Sequence, residues 1–388
     1  MDEIISYERN IYALLLTSLA AVMVPIMFYI FRPALESTSS SKNVQFQSNN
    51  CIEVTLSKST NNRSQGGHLL SLVIPAYNEE ERLPVMLDQT LEFLFREYEN
   101  VAKSISSFDT NCNGTPSFEI VIVDDGSSDG TSEVVKHYAA KNELALVEKK
   151  KALSISFRLF RLKQNQGKGA AIKAGVMRST GAFVLMVDAD GATDINDLKK
   201  LMKNMDATLQ SAEDGAANDD IFAVAAPHAV VIGSRAHMQE ESTASRTFVR
   251  TLLMSAFHMF VAMLCSRNVR DTQCGFKLFT RAAAITLFSN LHLQRWAFDI
   301  EIITVAEQLG LPLVEVGVNW EEIDGSKLDT SKMALLLASV GMLRDMLCVK
   351  LCYTFGIWNL PSRHTKIGNN SKFWNQTEEK AASVTITI

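Results

Sequence analysis

The segment FVLMVDADGAT, residues 183–193, indicates how the centre of this chain folds. It opens with five apolar residues, as a buried strand does, and continues with Asp188 and Asp190 on either side of one alanine. Successive side chains of a strand point to opposite faces, so the two aspartates can point the same way. Neighbouring carboxylates repel each other, and a divalent cation would relieve that repulsion. A polar turn at the end of a strand explains the same residues without a metal.

Similar strand-like segments lie on both sides of this one and alternate with segments of helical spacing. The predicted strands are LLSLVIPAY, FEIVIVDDG, SISFRLFRL, FVLMVDAD and AVVIGSR, with helices at 79–99, 128–141, 168–178 and 194–209. Further helices are predicted at 248–264 and 298–309, further strands at 275–279 and 313–320, and polar surface insertions at 100–117 and 211–220. Strands that alternate with helices predict an α/β fold, with a mostly parallel sheet flanked by helices.

The composition excludes some classes of function. The chain has 388 residues, of which 47% are hydrophobic, enough for one large domain or two ordinary ones. Its net charge of −5 argues against nucleic acid as a partner, because nucleic-acid binding needs a basic surface. The six cysteines form no CxxC pair and have no histidines at zinc-ligand spacing, so they fit free thiols in a reducing compartment.

The N-terminal segment predicts a membrane anchor. Residues 12–31 contain no charged side chain, and about 20 apolar residues in a helix cross the hydrocarbon core of a bilayer. A cleaved signal peptide fits less well, because the preceding MDEIISYERN is acidic and the apolar run is too long. We therefore expect one N-terminal transmembrane helix and contact with a membrane bilayer.

The predicted organisation has five parts. They are a transmembrane anchor (1–32), a flexible linker (33–67), the α/β domain (68–325), a C-terminal helical region (326–360) and a disordered tail (361–388). The region 326–360 fits an amphipathic helix on a membrane surface and a plain buried helix equally well.

Acidic residues follow several predicted strands, at the edge where parallel α/β sheets bind their ligands. They are Glu79, Asp124, Asp125, Asp188 and Asp190. So many acids at one edge would repel each other without a cation or a ligand rich in donors among them. Turn formation and helix capping account for part of the DDGSSDGT segment as well.

The segment NQGKGAAIKAG, residues 165–175, resembles a phosphate loop only weakly. It lacks the GxxxxGK[ST] spacing of that motif. Glycines at the start of a helix still expose backbone N–H groups, so Gly167, Lys168 and Gly169 could face an anion. Simple tight packing explains the two glycines equally well.

Taken in order, seven motifs carry a family resemblance. They are SLVIPAYNEEERLP, VIVDDGSSDGT, NQGKGAAIKAGVMRSTG, MVDADGATD, VIGSR, DTQCGFKLFTR and FDIEI, between residues 69 and 320. The series resembles the family-2 inverting glycosyltransferases of the polyprenyl-phosphate branch, and is similar to the dolichyl-phosphate β-glucosyltransferases of the endoplasmic reticulum. The resemblance implies a GT-A (Rossmann-like) fold that transfers glucose from UDP-glucose to dolichyl phosphate with inversion, with Mg²⁺ or Mn²⁺ as cofactor.

The resemblance also implies roles for single residues. Pro75, Tyr77 and Glu79 would border the nucleotide, Asp124 and Asp125 would bind uracil or ribose, and Asp188 and Asp190 would hold the metal as a DxD motif. Arg235, Lys277 and Arg281 would meet phosphate oxygens, and Gln273, Asp299 and Glu301 match sugar-side or acceptor-side positions. Ala192 stands where related mannose synthases have a further metal ligand, so water, Thr193 or Asp194 would have to serve.

The expected reaction needs no strong general base. A phosphate monoester has a second pKa of about 6, so the acceptor is mostly dianionic at neutral pH. We expect Asp188, Asp190, Arg235 and Lys277 to stabilise the leaving diphosphate, and Asp299 to orient the sugar. We also expect the protein in the endoplasmic reticulum membrane as a single-pass protein, with its catalytic domain facing the cytosol that supplies UDP-glucose.

Two other functions stay open at this point. One is a dolichol-phosphate mannose synthase that uses GDP-mannose, and the other is a non-catalytic scaffold that binds sugar nucleotides. The sequence does not indicate an oligomeric state.

Overall fold

The computed structural model describes residues 23–37, 54–55, 68–106, 117–148, 154–215, 227–241, 266, 268–323 and 332–360. The chain divides into two compact units. The smaller unit combines Met1–Gln45 with Asp329–Asn359, and the larger unit combines Phe46–Leu328 with Leu360–Ile388. The larger unit carries the sheet and all the predicted site residues.

The larger unit is built on one eight-stranded sheet. Its strands are β1 (Val54–Thr55), β2 (Leu70–Ala76), β3 (Ser117–Asp124), β4 (Ser154–Arg161), β5 (Phe183–Met186), β6 (Val230–Ser234), β7 (Lys277–Thr280) and β8 (Leu313–Gly317). Their order across the sheet is β1-β4-β3-β2-β5-β7-β6-β8. β2 to β5 pair in parallel, as do β6 and β8, whereas β1 and β7 run antiparallel to their neighbours. The predicted α/β fold with a mostly parallel sheet is confirmed.

The central strands are apolar along their length because helices cover both faces of a parallel sheet. β3 is buried at every position after Ser117. Near the start of this strand, the Glu119 carboxylate accepts hydrogen bonds from the Ser71 hydroxyl at 2.5 Å and from an Arg158 N–H at 2.6 Å. A buried carboxylate needs such partners to offset the loss of its hydration.

Seven of the nine described helices lie close to predicted helical segments, with different ends, whereas those at Ala236–Glu241 and Arg281–Ser289 were not predicted. They are α1 (residues 23–37), α2 (Leu83–Ser106), α3 (Thr131–Glu148), α4 (Lys168–Val176), α5 (Leu198–Gly215), α6 (Ala236–Glu241), α7 (Arg281–Ser289), α8 (Phe298–Gln308) and α9 (Lys332–Thr354). α2 begins at Leu83 rather than Glu79, and the backbone N–H of Glu79 donates to the Thr131 hydroxyl at 2.8 Å. α2 and α5 also continue into the predicted insertions, so residues 100–106 and 211–215 are helical. In α2 the buried Val101 extends the apolar stripe past the predicted end.

The predicted flexible linker contains regular structure in two places. Residues 33–37 continue α1, and residues 54–55 form β1, which pairs with β4. The prediction of an unstructured linker is wrong there. The rest of the linker, the predicted helix at 248–264 and the tail at 361–388 lie outside the described residues.

The predicted anchor is described only from residue 23 onwards, as α1 of the smaller unit. Within the described part of the chain, no helix is both long enough and apolar enough to cross a membrane. The helical region predicted at 326–360 contains α9. Arg344 of α9 lies over the ring of Tyr29 in α1, with 5.3 Å between the guanidinium carbon and the ring centroid. The smaller unit therefore pairs helices from the two ends of the chain.

Candidate active site

The loops that follow β2, β3, β5 and β6 leave the sheet at one edge, because these four strands run in the same direction.

The loop after β2 is bound to the loop after β3. Asn78 has a φ of 56°, a conformation that asparagine tolerates better than most residues. Its side-chain oxygen accepts the Ser128 N–H at 2.8 Å, and its own N–H donates to the Ser127 hydroxyl at 2.8 Å. These bonds fix the two loops against each other.

Asp124 and Asp125 bind the protein backbone around them. Asp124 is fully enclosed, and its carboxylate accepts the Ser127 N–H at 2.8 Å. Asp125 accepts the N–H groups of Gln166 at 2.7 Å and Gly167 at 2.8 Å. Burial raises the pKa of Asp125 to about 6, against the effect of these two hydrogen bonds. The structure thus gives both aspartates a role in shaping loops, and Asp124 offers no open surface for the expected contact with uracil or ribose.

The three predicted residues of β2 and the loop that follows it differ in accessibility. Pro75 lies inside β2, opposite Val123 of β3. Glu79 pairs through both oxygens with Arg82, at 2.6 and 2.8 Å. Tyr77 is 42% exposed, so it is the most open of the three at this edge.

Asp188 and Asp190 follow β5 and are both partly buried. The Lys168 ammonium group, at the start of α4, lies 2.6 Å from Asp188 Oδ1. Burial lowers the pKa of Lys168, but the carboxylates of Asp188, Asp299 and Asp190 outweigh it, so the pKa is raised overall. Asp190 Oδ1 accepts the backbone N–H of Ala192 at 3.0 Å. A positive and two negative side chains therefore meet at this edge.

The expectation that the acidic cluster needs a cation is corrected by these contacts. Glu79 is neutralised by Arg82, and Asp188 by Lys168, so much of the repulsion is relieved by the protein itself. The remaining argument for a metal rests on Asp188 and Asp190.

These two aspartates fit a magnesium or manganese site of the kind completed by a nucleotide. Asp188 Oδ1 is enclosed and, within the described part of the chain, accepts no well-oriented hydrogen bond. No group of three or more His, Cys, Asp or Glu among the described residues is arranged to hold a metal ion. Mg²⁺ commonly binds one or two carboxylates and takes its other ligands from water and phosphates. Asp194 is exposed and caps the following 3₁₀ turn with Oδ1, which accepts the Asn196 N–H at 2.9 Å, so water, Thr193 and Asp194 all stay open as the further ligand.

Lys277 and Asp299 form a buried ion pair. Lys277 is 0% exposed, and its ammonium group lies 2.6 Å from Asp299 Oδ1 and donates to the Cys274 carbonyl oxygen. Burial raises the pKa of Asp299, although Lys277 opposes that effect. The two side chains neutralise each other, so the predicted open ammonium group for a phosphate and open carboxylate for a sugar are not present in this arrangement.

The Arg235 guanidinium group contacts a carboxylate and an aromatic ring. It makes two side-chain hydrogen bonds to Asp271, at 2.7 and 2.9 Å, and its guanidinium carbon lies 5.5 Å from the centroid of the Trp320 ring. Burial lowers the pKa of Arg235, but Asp271 outweighs it and raises the pKa overall. Gln273 lies beside this pair and donates its backbone N–H to Asp271 at 3.3 Å.

Arg281 lies at the opposite edge of the sheet from Asp188. Its backbone N–H donates to the carbonyl oxygen of Ala182, just before β5, and its side chain donates to the Ser179 hydroxyl at 2.7 Å. The predicted contact of Arg281 with the diphosphate is therefore wrong. Glu301 is also not open to a substrate, because it is fully buried and accepts the backbone N–H of Leu293 at 2.7 Å.

The glycines of the NQGKG segment are explained by tight packing. Gly167 has a φ of 102°, and a methyl group there would lie 2.6 Å from the Gln294 carbonyl oxygen. A methyl group at Gly169 would lie 2.7 Å from the Leu293 carbonyl oxygen. Of the three residues proposed to face an anion, Gly167 donates its backbone N–H to Asp125 and Lys168 contacts Asp188 with its ammonium group.

Comparisons with known proteins extend this description. The model for the glycosyl transferase family 2 matches residues 71–216. The chain is 41% identical over 294 residues to "Dolichyl-phosphate beta-glucosyltransferase" of Dictyostelium discoideum, a match that covers 76% of this chain and 77% of that protein. The proteins of the same name in Mus musculus (41% identity, 75% of this chain, 78% of that protein) and Saccharomyces cerevisiae (37%, 74% and 76%) also match. The chain belongs to the dolichyl-phosphate β-glucosyltransferases of glycosyl transferase family 2.

Solved structures give more distant matches. One is the crystal structure of glucosyl-3-phosphoglycerate synthase from Mycobacterium tuberculosis in complex with uridine diphosphate. It is 15% identical, with a TM-score of 0.37, and the match covers 72% of this chain and 80% of that one.

Two residues of the candidate site were missed by sequence reasoning. Trp296 is 57% exposed, and its ring centroid lies 5.6 Å from the Lys168 nitrogen. Gly275 lies against the Asp188 carboxylate. The sequence around Trp296 and Gly275 does not indicate these contacts, because each residue lies more than 85 positions after its partner in the chain. Asn78 had a signal, since asparagine just after a strand favours a left-handed turn.

Proposed function

We propose that this protein transfers glucose from UDP-glucose to dolichyl phosphate, with inversion at the anomeric carbon and with Mg²⁺ or Mn²⁺ as cofactor. The observation that carries the proposal is the 41% identity, over three quarters of the chain, to proteins named dolichyl-phosphate β-glucosyltransferase. The cluster of Asp188, Asp190 and Lys168 at the carboxyl edge of the sheet supports it, because this edge is where α/β sheets bind nucleotides.

In the proposed reaction, the side chains bind and orient the diphosphate of the donor. A divalent cation held by Asp188 and Asp190 would supply Lewis-acid stabilisation of the leaving group. Lys168 stays cationic at neutral pH because its pKa is raised, so it can donate hydrogen bonds to phosphate oxygens as charge develops there. Arg235 is oriented by Asp271 and presents the rest of its guanidinium group on the same edge.

The attacking group is an oxygen of the acceptor phosphate. This oxygen is mostly deprotonated at neutral pH, because the second pKa of a phosphate monoester is about 6. No side chain has to remove a proton. Asp299 is bound to Lys277 and enclosed, so we assign it to holding Lys277 in place and not to proton transfer.

The proposed acceptor stays in a bilayer, so the protein must work at a membrane surface. The apolar residues 12–31 support a single membrane span, and we propose the endoplasmic reticulum membrane with the catalytic domain on the cytosolic side. The smaller unit supports contact with lipid, because it exposes a set of large apolar side chains. They are Met23, Val24, Ile26, Met27, Phe28, Tyr29, Leu35, Leu337, Val340, Phe355 and Ile357.

The direct test supplies the purified full-length protein with labelled UDP-glucose and dolichyl phosphate, with and without a chelator. We expect a glucosyl lipid of β configuration, loss of its formation in the chelator, and recovery on addition of Mn²⁺. Asp190→Ala should lower turnover at least 100-fold, as expected when one ligand of a catalytic cation is removed. Labelled mannose transfer from GDP-mannose in place of glucose transfer would overturn the proposal.

The proposed orientation has its own test. N-glycan acceptor triplets occur at Asn62, Asn113, Asn369 and Asn375. On the cytosolic face all four stay unmodified. A gel shift of the native protein on treatment with a glycosidase would overturn the orientation.

A further inference from the structure

Gly275 lies in the segment that leads into β7, with the side chain of Asp188 directly against it. A methyl group built on Gly275 would lie 2.0 Å from Asp188 Oδ2, 2.4 Å from Cγ and 2.7 Å from Oδ1. These are the three atoms nearest to such a methyl group, and real Cβ atoms are not found below 3.0 Å. The φ of Gly275 lies outside the left-handed region, so the position needs a glycine for space and not for backbone freedom.

The segment around Gly275 is fixed and cannot move away from an added methyl group. The carbonyl oxygen of Phe276 accepts the Gly233 N–H of β6 at 2.8 Å. The carbonyl oxygen of Cys274 accepts a hydrogen bond from the buried Lys277 ammonium group. Both neighbours of Gly275 are therefore tied to the sheet.

Asp188 is the partner that can turn, because its side chain is 33% exposed. Its carboxylate contacts the fixed backbone at Gly275 and the Lys168 ammonium group, which lies 2.6 Å from Oδ1. An added methyl group at position 275 would therefore turn the carboxylate.

We propose that Gly275 is a positioning residue that sets the direction of the Asp188 carboxylate for a sugar-nucleotide diphosphate and its cation. It acts through Asp188 and does not itself contact the donor. The inference rests on the proposed function in taking Asp188 as a donor-site residue. A larger residue at 275 turns Asp188 out of the position where it can bind the cation, without removing any charged group.

The first test compares the affinity of UDP with Mn²⁺ for the full-length wild-type protein and for Gly275→Ala, by calorimetry. The expected result is at least a tenfold loss of affinity in Gly275→Ala. Gly341→Ala is the matched control, because a methyl group at Gly341 of α9 meets no atom of the described residues within 4 Å, and it should bind as the wild type does. Equal affinity in Gly275→Ala and the wild type overturns the proposal.

The second test uses melting temperatures and does not depend on a metal. Asp188→Ala removes the carboxylate and leaves room for a methyl group at position 275. Gly275→Ala should therefore lower the melting temperature by several degrees in the wild-type background and by less in the Asp188→Ala background. An equal fall in both backgrounds overturns the proposal, because the methyl group then collides with something other than Asp188.

The two tests stay decisive if Gly275→Ala alone does not fold. In that case recovery of folding in Asp188→Ala/Gly275→Ala supports the contact, and failure of the double variant to fold overturns it. Glucose transfer is measured on the same wild-type sample. Its absence beside an intact difference in Mn²⁺–UDP affinity overturns the proposed function and leaves the role of Gly275 standing.

Discussion

Lys168 lies 2.6 Å from Asp188 Oδ1, where it competes with any cation that approaches the same oxygen. Removing its charge should therefore help a metal to bind when no nucleotide is present. We expect Lys168→Met to bind Mn²⁺ alone about tenfold more tightly, or about 1.4 kcal/mol. Glucose transfer should fall in the same variant, because the diphosphate loses a cationic partner. Electron paramagnetic resonance of unbound Mn²⁺ measures the affinity.

The control for this prediction is Lys199→Met, which removes an exposed lysine paired with Glu97 at 3.2 Å. It should leave both the Mn²⁺ affinity and the transfer rate unchanged. Unchanged or weaker Mn²⁺ binding in Lys168→Met would show that the lysine does not compete for Asp188.

Asp125 should make the free energy of unfolding depend on pH. Burial raises its pKa from 3.8 to about 6, so folding favours the neutral carboxyl group. Asp125 contributes its full stabilisation at pH values below about 4, its pKa in the unfolded chain. This stabilisation is lost as the pH rises through about 6, its pKa in the folded protein. The free energy of unfolding of the wild type minus that of Asp125→Asn should fall between pH 4 and 6, with a slope of at most about 1.4 kcal/mol per pH unit. Urea denaturation at each pH measures it, and a difference that is constant or grows with pH contradicts the prediction.

The sequence predicted where carboxylates gather, but it did not predict which groups neutralise or enclose them. The spacing of Asp188 and Asp190 after an apolar run was enough to indicate a pair of carboxylates at a strand end. That Lys168 binds Asp188 depends on two loops that are 20 residues apart in the chain. Asp124 shows the limit of sequence reasoning most clearly. Its burial and the hydrogen bond that it accepts from the Ser127 N–H arise only when the loop after β3 is folded.

Among the elements, β7 decides which basic residues reach the site. It is four residues long, so Lys277 at its start and Arg281 directly after its end are about 13 Å apart at about 3.3 Å per residue. Lys277 begins it beside the carboxyl end of β5, and Arg281 follows it beside the amino end. The family resemblance implied that both residues contact the phosphate oxygens. A strand between two residues carries them to opposite edges of the sheet, and the direction of β7 was not evident from its composition.

The buried pair at the start of β7 predicts a large effect on stability. Lys277→Met leaves Asp299 charged and enclosed, which should lower the free energy of unfolding by about 3–5 kcal/mol. Lys277→Met/Asp299→Leu replaces both charges by apolar groups and should recover most of that loss. Urea denaturation of the full chain measures both. Lys103→Met, which removes an exposed lysine near Glu99, is the control and should change stability by less than about 1 kcal/mol.

A double variant less stable than Lys277→Met would contradict this account of the pair. It would mean that the ammonium and carboxylate groups stabilise the fold beyond neutralising each other.

At the scale of the whole molecule, the smaller unit joins the two ends of the sequence. Its helices α1 and α9 are separated by almost 300 residues, and Arg344 meets Tyr29 between them. The sequence indicated an apolar segment at each end, and it gave no sign that the two segments belong together. Pairing of distant helices depends on the shape of both surfaces, which hydrophobic periodicity does not describe.

The exposed apolar residues of the smaller unit should matter only when the acceptor is in a bilayer. Phe355 and Ile357 follow α9 and are 69% and 49% exposed. If they contact lipid, Phe355→Ser/Ile357→Ser should raise the KM for dolichyl phosphate in vesicles by at least about tenfold, because full burial of one such side chain contributes about 1.5–3 kcal/mol and about 1.4 kcal/mol corresponds to a factor of ten. The KM for a short-chain, water-soluble isoprenyl phosphate should not change, since that acceptor does not require the membrane. Lys350→Ser, at an exposed position of α9, is the control. An equal rise for both acceptors would show that the two residues support the fold or the active site, and an unchanged KM for dolichyl phosphate would show that this surface does not contact the bilayer.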